Sequence, residues 1–146
     1  MANLQNFLIP QGEIQTKVTE KSVEIAELFG KYLAKKDQIP GKNGRYKDVE
    51  PLTTSQLRKF FGEVKRQQMQ GYDETNFVML KPKLAYAVGR AKSGNSNKEY
   101  KIKDFYDVLA NAIDTVQTSP DKDKAFKNFI TIFEAIVAYH KANEEK

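Results

Sequence analysis

The chain has no cysteine, no tryptophan and a single histidine, His140, in 146 residues. Without thiols there are no disulfides, no thiolate zinc sites and no cysteine nucleophiles, which fits a reducing compartment. One imidazole leaves no histidine pair for acid–base relay and no Cys–His dyad. The eight glycines are scattered, and none builds a phosphate-cradling loop motif. Apolar runs are short. The stretch Leu4-Gln5-Asn6-Phe7-Leu8-Ile9 has no positive flank and is too short for a secretion signal or a membrane span. The expectation is a cytoplasmic protein with no membrane partner, no metal and no cofactor.

Core-forming residues are plentiful. Hydrophobic residues make up 40% of the chain, with nine Phe and seven Tyr, while 29% charged residues provide a solvated surface. That length and composition suit one domain over residues 1–146, its first sixteen residues extended or frayed. The net charge of +5 is unevenly spread. Residues 31–66 carry ten Lys or Arg against four acids, and residues 81–103 carry seven against one, while the remaining segments are acidic. Such asymmetry suits a polyanion at the basic segments and a basic surface at the acidic ones.

Apolar residues at helical spacing place the elements. Val18, Ile25, Leu28, Phe29, Tyr32 and Leu33 mark a first helix, with Glu20, Glu24 and Glu27 on another face. Residues 38–51 hold two Pro and two Gly and read as a mobile basic loop. Thr53 then reads as the N-cap of a second helix from Thr54 to Gln70. Gln56 returns the capping bond, Leu52 and Leu57 form a staple, Leu57, Phe60, Phe61 and Val64 face inward, and Gly71 ends the helix. Leu80, Leu84, Ala87 and Ala91 keep helical period across Pro82, which either kinks one helix or opens a new one. Residues 93–98 read as a flexible polar loop. A fourth helix carries Ile102, Phe105, Tyr106, Leu109, Ile113 and Val116. Ser119-Pro120 caps a fifth with Phe126, Ile130, Phe133, Val137 and His140. No segment shows period two. The expected architecture is an all-α, compact bundle of about five helices.

Catalytic chemistry has little to work with. His140 lies in an apolar stripe and reads as a packing residue. Glu20, Glu24 and Glu27 share a helical face, but a divalent-metal site needs ligands from elsewhere too, so they read as a solvated face or an interface. The basic residues are better organised. Arg58 and Lys65 flank the apolar face of the second helix, and Lys59 and Arg66 form an outer row. Lys83, Tyr86 and Arg90 share a flank at i, i+3 and i+7, with Lys81 just before Pro82. Two such rows on neighbouring helices suit a groove for a phosphate backbone, and they also read as solvated basic faces. No DNA-groove or RNA-module signature is present, so binding is expected to be backbone-directed and indifferent to sequence.

At these residues the chain resembles the small helical subunit of the type III-A CRISPR interference complex, the Csm small subunit. The resemblance rests on Leu52-Thr53-Thr54-Ser55-Gln56-Leu57-Arg58-Lys59-Phe60, on Leu80-Lys81-Pro82-Lys83-Leu84-Ala85-Tyr86-Ala87-Val88-Gly89-Arg90, and on Phe129 to Lys141, and it covers about residues 45–143. It implies a non-catalytic protein of antiviral defence that stacks in a few copies as an inner filament of a ribonucleoprotein. Its partners are then guide RNA, target RNA, other Csm subunits and further copies of itself. Carried over, the RNA-contacting residues are Arg58, Lys83 and Arg90, to which the helical wheel adds Lys59, Lys65, Arg66 and Lys81. The Glu20, Glu24 and Glu27 face is expected to contribute to stacking. The alternative from another class is a stand-alone helical adaptor whose basic face docks an acidic protein. A metal-dependent nuclease would need convergent carboxylates that the sequence does not show.

Overall fold

Short polar side chains set where the helices begin. In the computed structural model, which describes residues 3–95 and 97–144, Thr19 accepts from the N–H of Lys21 to open a helix over Glu20–Ala34. Two short helical turns precede it, a 3-10 turn at Leu4–Phe7 and the single-turn helix α1 at Gln11–Gln15; Glu20–Ala34 is then α2. Next come strands β1 (Asp37–Pro40) and β2 (Tyr46–Glu50), then helices α3 (Thr54–Gln70), α4 (Glu74–Val78) and α5 (Leu80–Gly94). Strand β3 (Glu99–Tyr100) leads into α6 (Ile102–Gln117) and α7 (Lys122–Ala142).

The second predicted helix has the expected bounds. Thr53 accepts from the Gln56 N–H while the Gln56 side chain accepts from the Thr53 N–H, and Gly71 follows the last turn. Leu52 and Leu57, the expected staple, are both buried. Pro82 sits in the first turn of α5, where its missing N–H costs nothing, so the helix opens around it without a kink in its interior. The fifth helix is capped differently from expectation. Asp121, not Ser119-Pro120, accepts from the Lys124 N–H and opens α7, because a carboxylate one residue before the first turn is the better acceptor there.

The chain is largely but not purely helical, which corrects the all-α expectation. The region read as a mobile basic loop holds the β1–β2 hairpin, to which β3 adds from just before α6 to complete a three-stranded sheet of order β1-β2-β3. Strand β2 pairs antiparallel with β1, Asp37 opposite Val49 and Pro40 opposite Tyr46, and parallel with β3, Val49 opposite Glu99. The hairpin turn is built on Asn43 and Gly44, both at positive φ (62° and 73°), with the Arg45 N–H donating to the Lys42 carbonyl. An Asn-Gly pair is the side-chain chemistry that a tight two-residue hairpin turn calls for. Pro40 is tolerated because it ends an outer strand. Among the described residues, single-turn α1 is added to the expected set and the expected third helix divides at Met79 into α4 and α5, so there are six helical units with α4–α5 counted as one, where about five were expected.

Residues 3–16 also depart from the extended or frayed expectation. Phe7 lies 4.8 Å from the Phe29 ring and 5.1 Å from Tyr32, and Ile9 and Ile14 are buried. Glu13 reaches forward to the start of α2. Its carboxylate accepts from the Thr19 N–H and hydroxyl and from the Ser22 N–H and hydroxyl, at 2.6 to 3.2 Å. Burial opposes its charge, but the donors of Ser22 and Thr19 outweigh burial and hold the carboxyl at about 2. Of the apolar residues that marked this helix, Leu28 faces solvent at 58% exposure. In the segment 93–98, α5 continues to Gly94 and the Asn97 N–H bonds the Asn95 side chain; Ser96 lies outside the described residues.

The core lies between α2, α6 and α7, with α3 and α5 laid against it. Helices α2 and α7 pack closely at Gly30, where an added Cβ would meet the Ile136 carbonyl at 2.9 Å and the His140 nitrogen at 2.8 Å. Phe77 from α4 meets Phe126 and Phe129 of α7 edge to face, at 5.4 and 5.2 Å, and Phe61 of α3 stacks on Phe133 at 6.2 Å. Each such pair adds about 0.5–1.5 kcal/mol beyond its burial. Lys101, fully buried, joins the sheet to the bundle. Its ammonium donates to the Tyr32 carbonyl at 2.6 Å, meets Asp37 at 2.5 Å and lies 3.9 Å from the centre of the Tyr32 ring. A buried cation held this way is compensated on every side.

Candidate nucleic-acid interface

Helix α3 is anchored chiefly on α7 and α5 chiefly on α6, so the two stand side by side with a groove between them. The groove encloses about 550 Å³. Lys59 and Phe60 line it from α3, and Lys83, Tyr86, Ala87 and Arg90 from α5. The geometry follows from helical spacing: Lys83, Tyr86 and Arg90 form one stripe, while Leu84 and Val88 between them turn into the core. Phe60 is buried and packs edge-on against Phe105 of α6 at 6.2 Å, which gives the groove an apolar depth.

One acidic group lies among these cations. Glu63 takes the Lys83 ammonium at 3.0 Å, bridging the groove, and both nitrogens of the Arg66 guanidinium edge at 2.6 and 3.1 Å. The Arg66 bonds, helped by Lys83 and Gln67 and opposed by partial burial, hold its carboxyl at about 2. Among the described residues, Lys59 and Arg90 have no carboxylate partner, so they are the cations most available to an incoming anion.

The seven residues singled out from the sequence do not all converge. Lys59, Lys83 and Arg90 share the groove, with Arg66 at its margin through Glu63. Arg58 lies on the opposite flank of α3, in a recess of about 160 Å³ shared with Phe61, Val137, His140 and Lys141. Lys65 reaches Glu134 of α7 at 3.5 Å and sits 5.9 Å from the Phe61 ring, and Lys81 pairs with Asp114 of α6 at 2.7 Å. These partly exposed pairs each contribute about 0–1 kcal/mol, so they position side chains more than they stabilise the fold. His140 is buried, and its Nε2–H donates to the Leu52 carbonyl at 2.6 Å, a packing role.

Sequence reasoning missed Glu63 and the apolar lining. The signal for Glu63 was its spacing, four residues after Lys59 and three before Arg66, which puts all three on one side of α3. The lining had no such signal, because it depends on how far apart α3 and α5 stand. Outside the groove lining, Glu20, Glu24 and Glu27 are exposed on α2, as are Leu28 and the 42%-exposed Val23. Among the described residues no three His, Asp or Glu side chains gather as a metal group, and no helix is long and apolar enough to cross a membrane.

A family model described as Csm2 Type III-A matches residues 16–146. No curated protein and no solved structure matches the chain.

Proposed function

Since the chain belongs to the Csm2 family of type III-A CRISPR effector complexes, we propose that it serves there as a non-catalytic small subunit that contacts RNA through the α3/α5 groove. It acts in the cytoplasm beside the other Csm subunits, stacks on further copies of itself as an inner filament, and meets target RNA or the guide–target duplex. The observation that carries the reading is the convergence of Lys59, Lys83 and Arg90 on one groove, two of them without a carboxylate partner among the described residues. Guanidinium and ammonium groups at fixed height on two helices suit phosphate oxygens and sugar, which fix position along a nucleic acid without reading its sequence. Arg58, outside the groove, serves a second phosphate contact on the α3/α7 side, and Lys65, Arg66 and Lys81 reinforce the field from within their ion pairs.

Binding of this kind is governed by counterion release. Arg90→Ala and Lys83→Ala are each expected to weaken RNA binding equally across sequences and to reduce the salt slope by about one unit. Affinity measured against salt concentration for several RNA sequences checks this, and a loss confined to one sequence would contradict it. Purification of the tagged chain from cells carrying its neighbouring genes tests the assembly. Discrete short RNAs with several partner proteins are expected, whereas an RNA-free chain bound to one acidic protein would favour an adaptor.

A further inference from the structure

The α3/α5 groove is more apolar than a phosphate track requires. A phosphodiester is satisfied by cations at a surface, yet here the buried Phe60 and the half-buried Ala87 and Ala91 line a recess of about 550 Å³. Tyr86 stands at that recess with 69% of its surface exposed, a large cost in unburied apolar area for a side chain that has no aromatic partner among the described residues. Lys83 and Arg90 lie about one helical turn to either side of it on α5.

We propose that the groove is a nucleobase site: an unpaired base of single-stranded RNA lies against Tyr86 over the Phe60–Ala87 lining, while its neighbouring phosphates pair with Lys59, Lys83 and Arg90. The proposal rests on the RNA reading above and narrows it. A duplex keeps its bases stacked inside and offers the groove only phosphate and sugar, which leaves the apolar recess without a use. An extruded base fills it. Every base has a π-face, so an aromatic platform holds the strand without choosing a sequence. The charge complementarity is equally specific in kind: three cations sit around the recess, and the one carboxylate among them is already engaged by Arg66, Lys83 and Gln67.

The test uses the full chain and three oligoribonucleotides of equal length: single-stranded with one 2-aminopurine, single-stranded and abasic at every position, and fully duplexed. Binding is expected to quench 2-aminopurine fluorescence. Tyr86→Ala should lower affinity for the base-bearing strand on the order of tenfold, leaving the salt slope unchanged, while Tyr86→Phe keeps the affinity. The abasic strand should bind more weakly and ignore Tyr86→Ala. Equal binding of abasic and base-bearing strands, with Lys83→Ala still reducing the salt slope, would overturn the nucleobase site and leave the RNA reading standing. No binding to any of the three, with polyglutamate bound instead, would overturn both.

Discussion

Gly30 shows how much of this structure depends on single atoms. With a Cβ there, α2 and α7 must separate against backbone atoms, since the Ile136 carbonyl and the His140 nitrogen lie within 3 Å of the added carbon. Backbone cannot rotate aside as a side-chain tip can. Gly30→Ala should therefore cost about 2 kcal/mol and lower the midpoint of thermal unfolding by roughly 4–8 °C. Glu13 carries a different dependence. Its folded carboxyl is held at about 2 against an ordinary 4.5, so the folded state binds fewer protons than the unfolded chain between those values. The stability it contributes is complete above pH 4.5 and is lost as pH falls toward 2. Urea unfolding of the wild type and Glu13→Gln should thus show a gap near neutral pH that closes across this window.

At the scale of elements, the hairpin depends on its turn and the long helix on its cap. Gly44 stands at φ 73° with open space around its Cα, so a side chain there meets only backbone strain. Gly44→Val is expected to cost about 1–2 kcal/mol, read as a lower denaturation midpoint with helical circular dichroism unchanged. The contrast in legibility has a physical basis. Helix α3 could be placed to the residue because Thr53, Gln56 and Gly71 act locally, within one turn of the atoms they satisfy. The sheet could not, because β1 and β2 are short, Pro40 and Pro51 mask their pattern, and β3 is two residues paired across fifty positions of sequence. Asn43-Gly44 was the local clue, outweighed by the prolines beside it. The N-terminal packing was equally hidden, since Phe7 and Ile9 carry no period of their own and are ordered by what α2 offers them.

For the whole molecule, charge is distributed by face. The exposed carboxylates of α2 are not among the residues that line the groove, which leaves them to meet a basic surface of a further copy in the proposed head-to-tail stacking, an arrangement that needs two different complementary surfaces. Reversing Glu20, Glu24 and Glu27 to Lys should weaken assembly while leaving RNA affinity of the single chain at least intact; sedimentation of the assembled particles checks the first and a filter-binding titration the second. The basic rows were readable from residue spacing, and so was their placement on neighbouring helices. Which of the seven cations would meet one another was not, because Lys65 and Lys81 are drawn off by Glu134 and Asp114, residues far away in sequence. The stretch that identifies the family starts at residue 16, yet Phe7, Ile9, Glu13 and Ile14 all lie ahead of it and are built into the core. What is recognisable by descent is therefore shorter than what folds. A gene trimmed to the recognisable portion would encode a polypeptide with a bare aromatic wall at Phe29 and a second helix that keeps its Thr19 cap but lacks the Glu13 carboxylate on its first turn, and its failure to behave would say nothing about the role of the protein it came from.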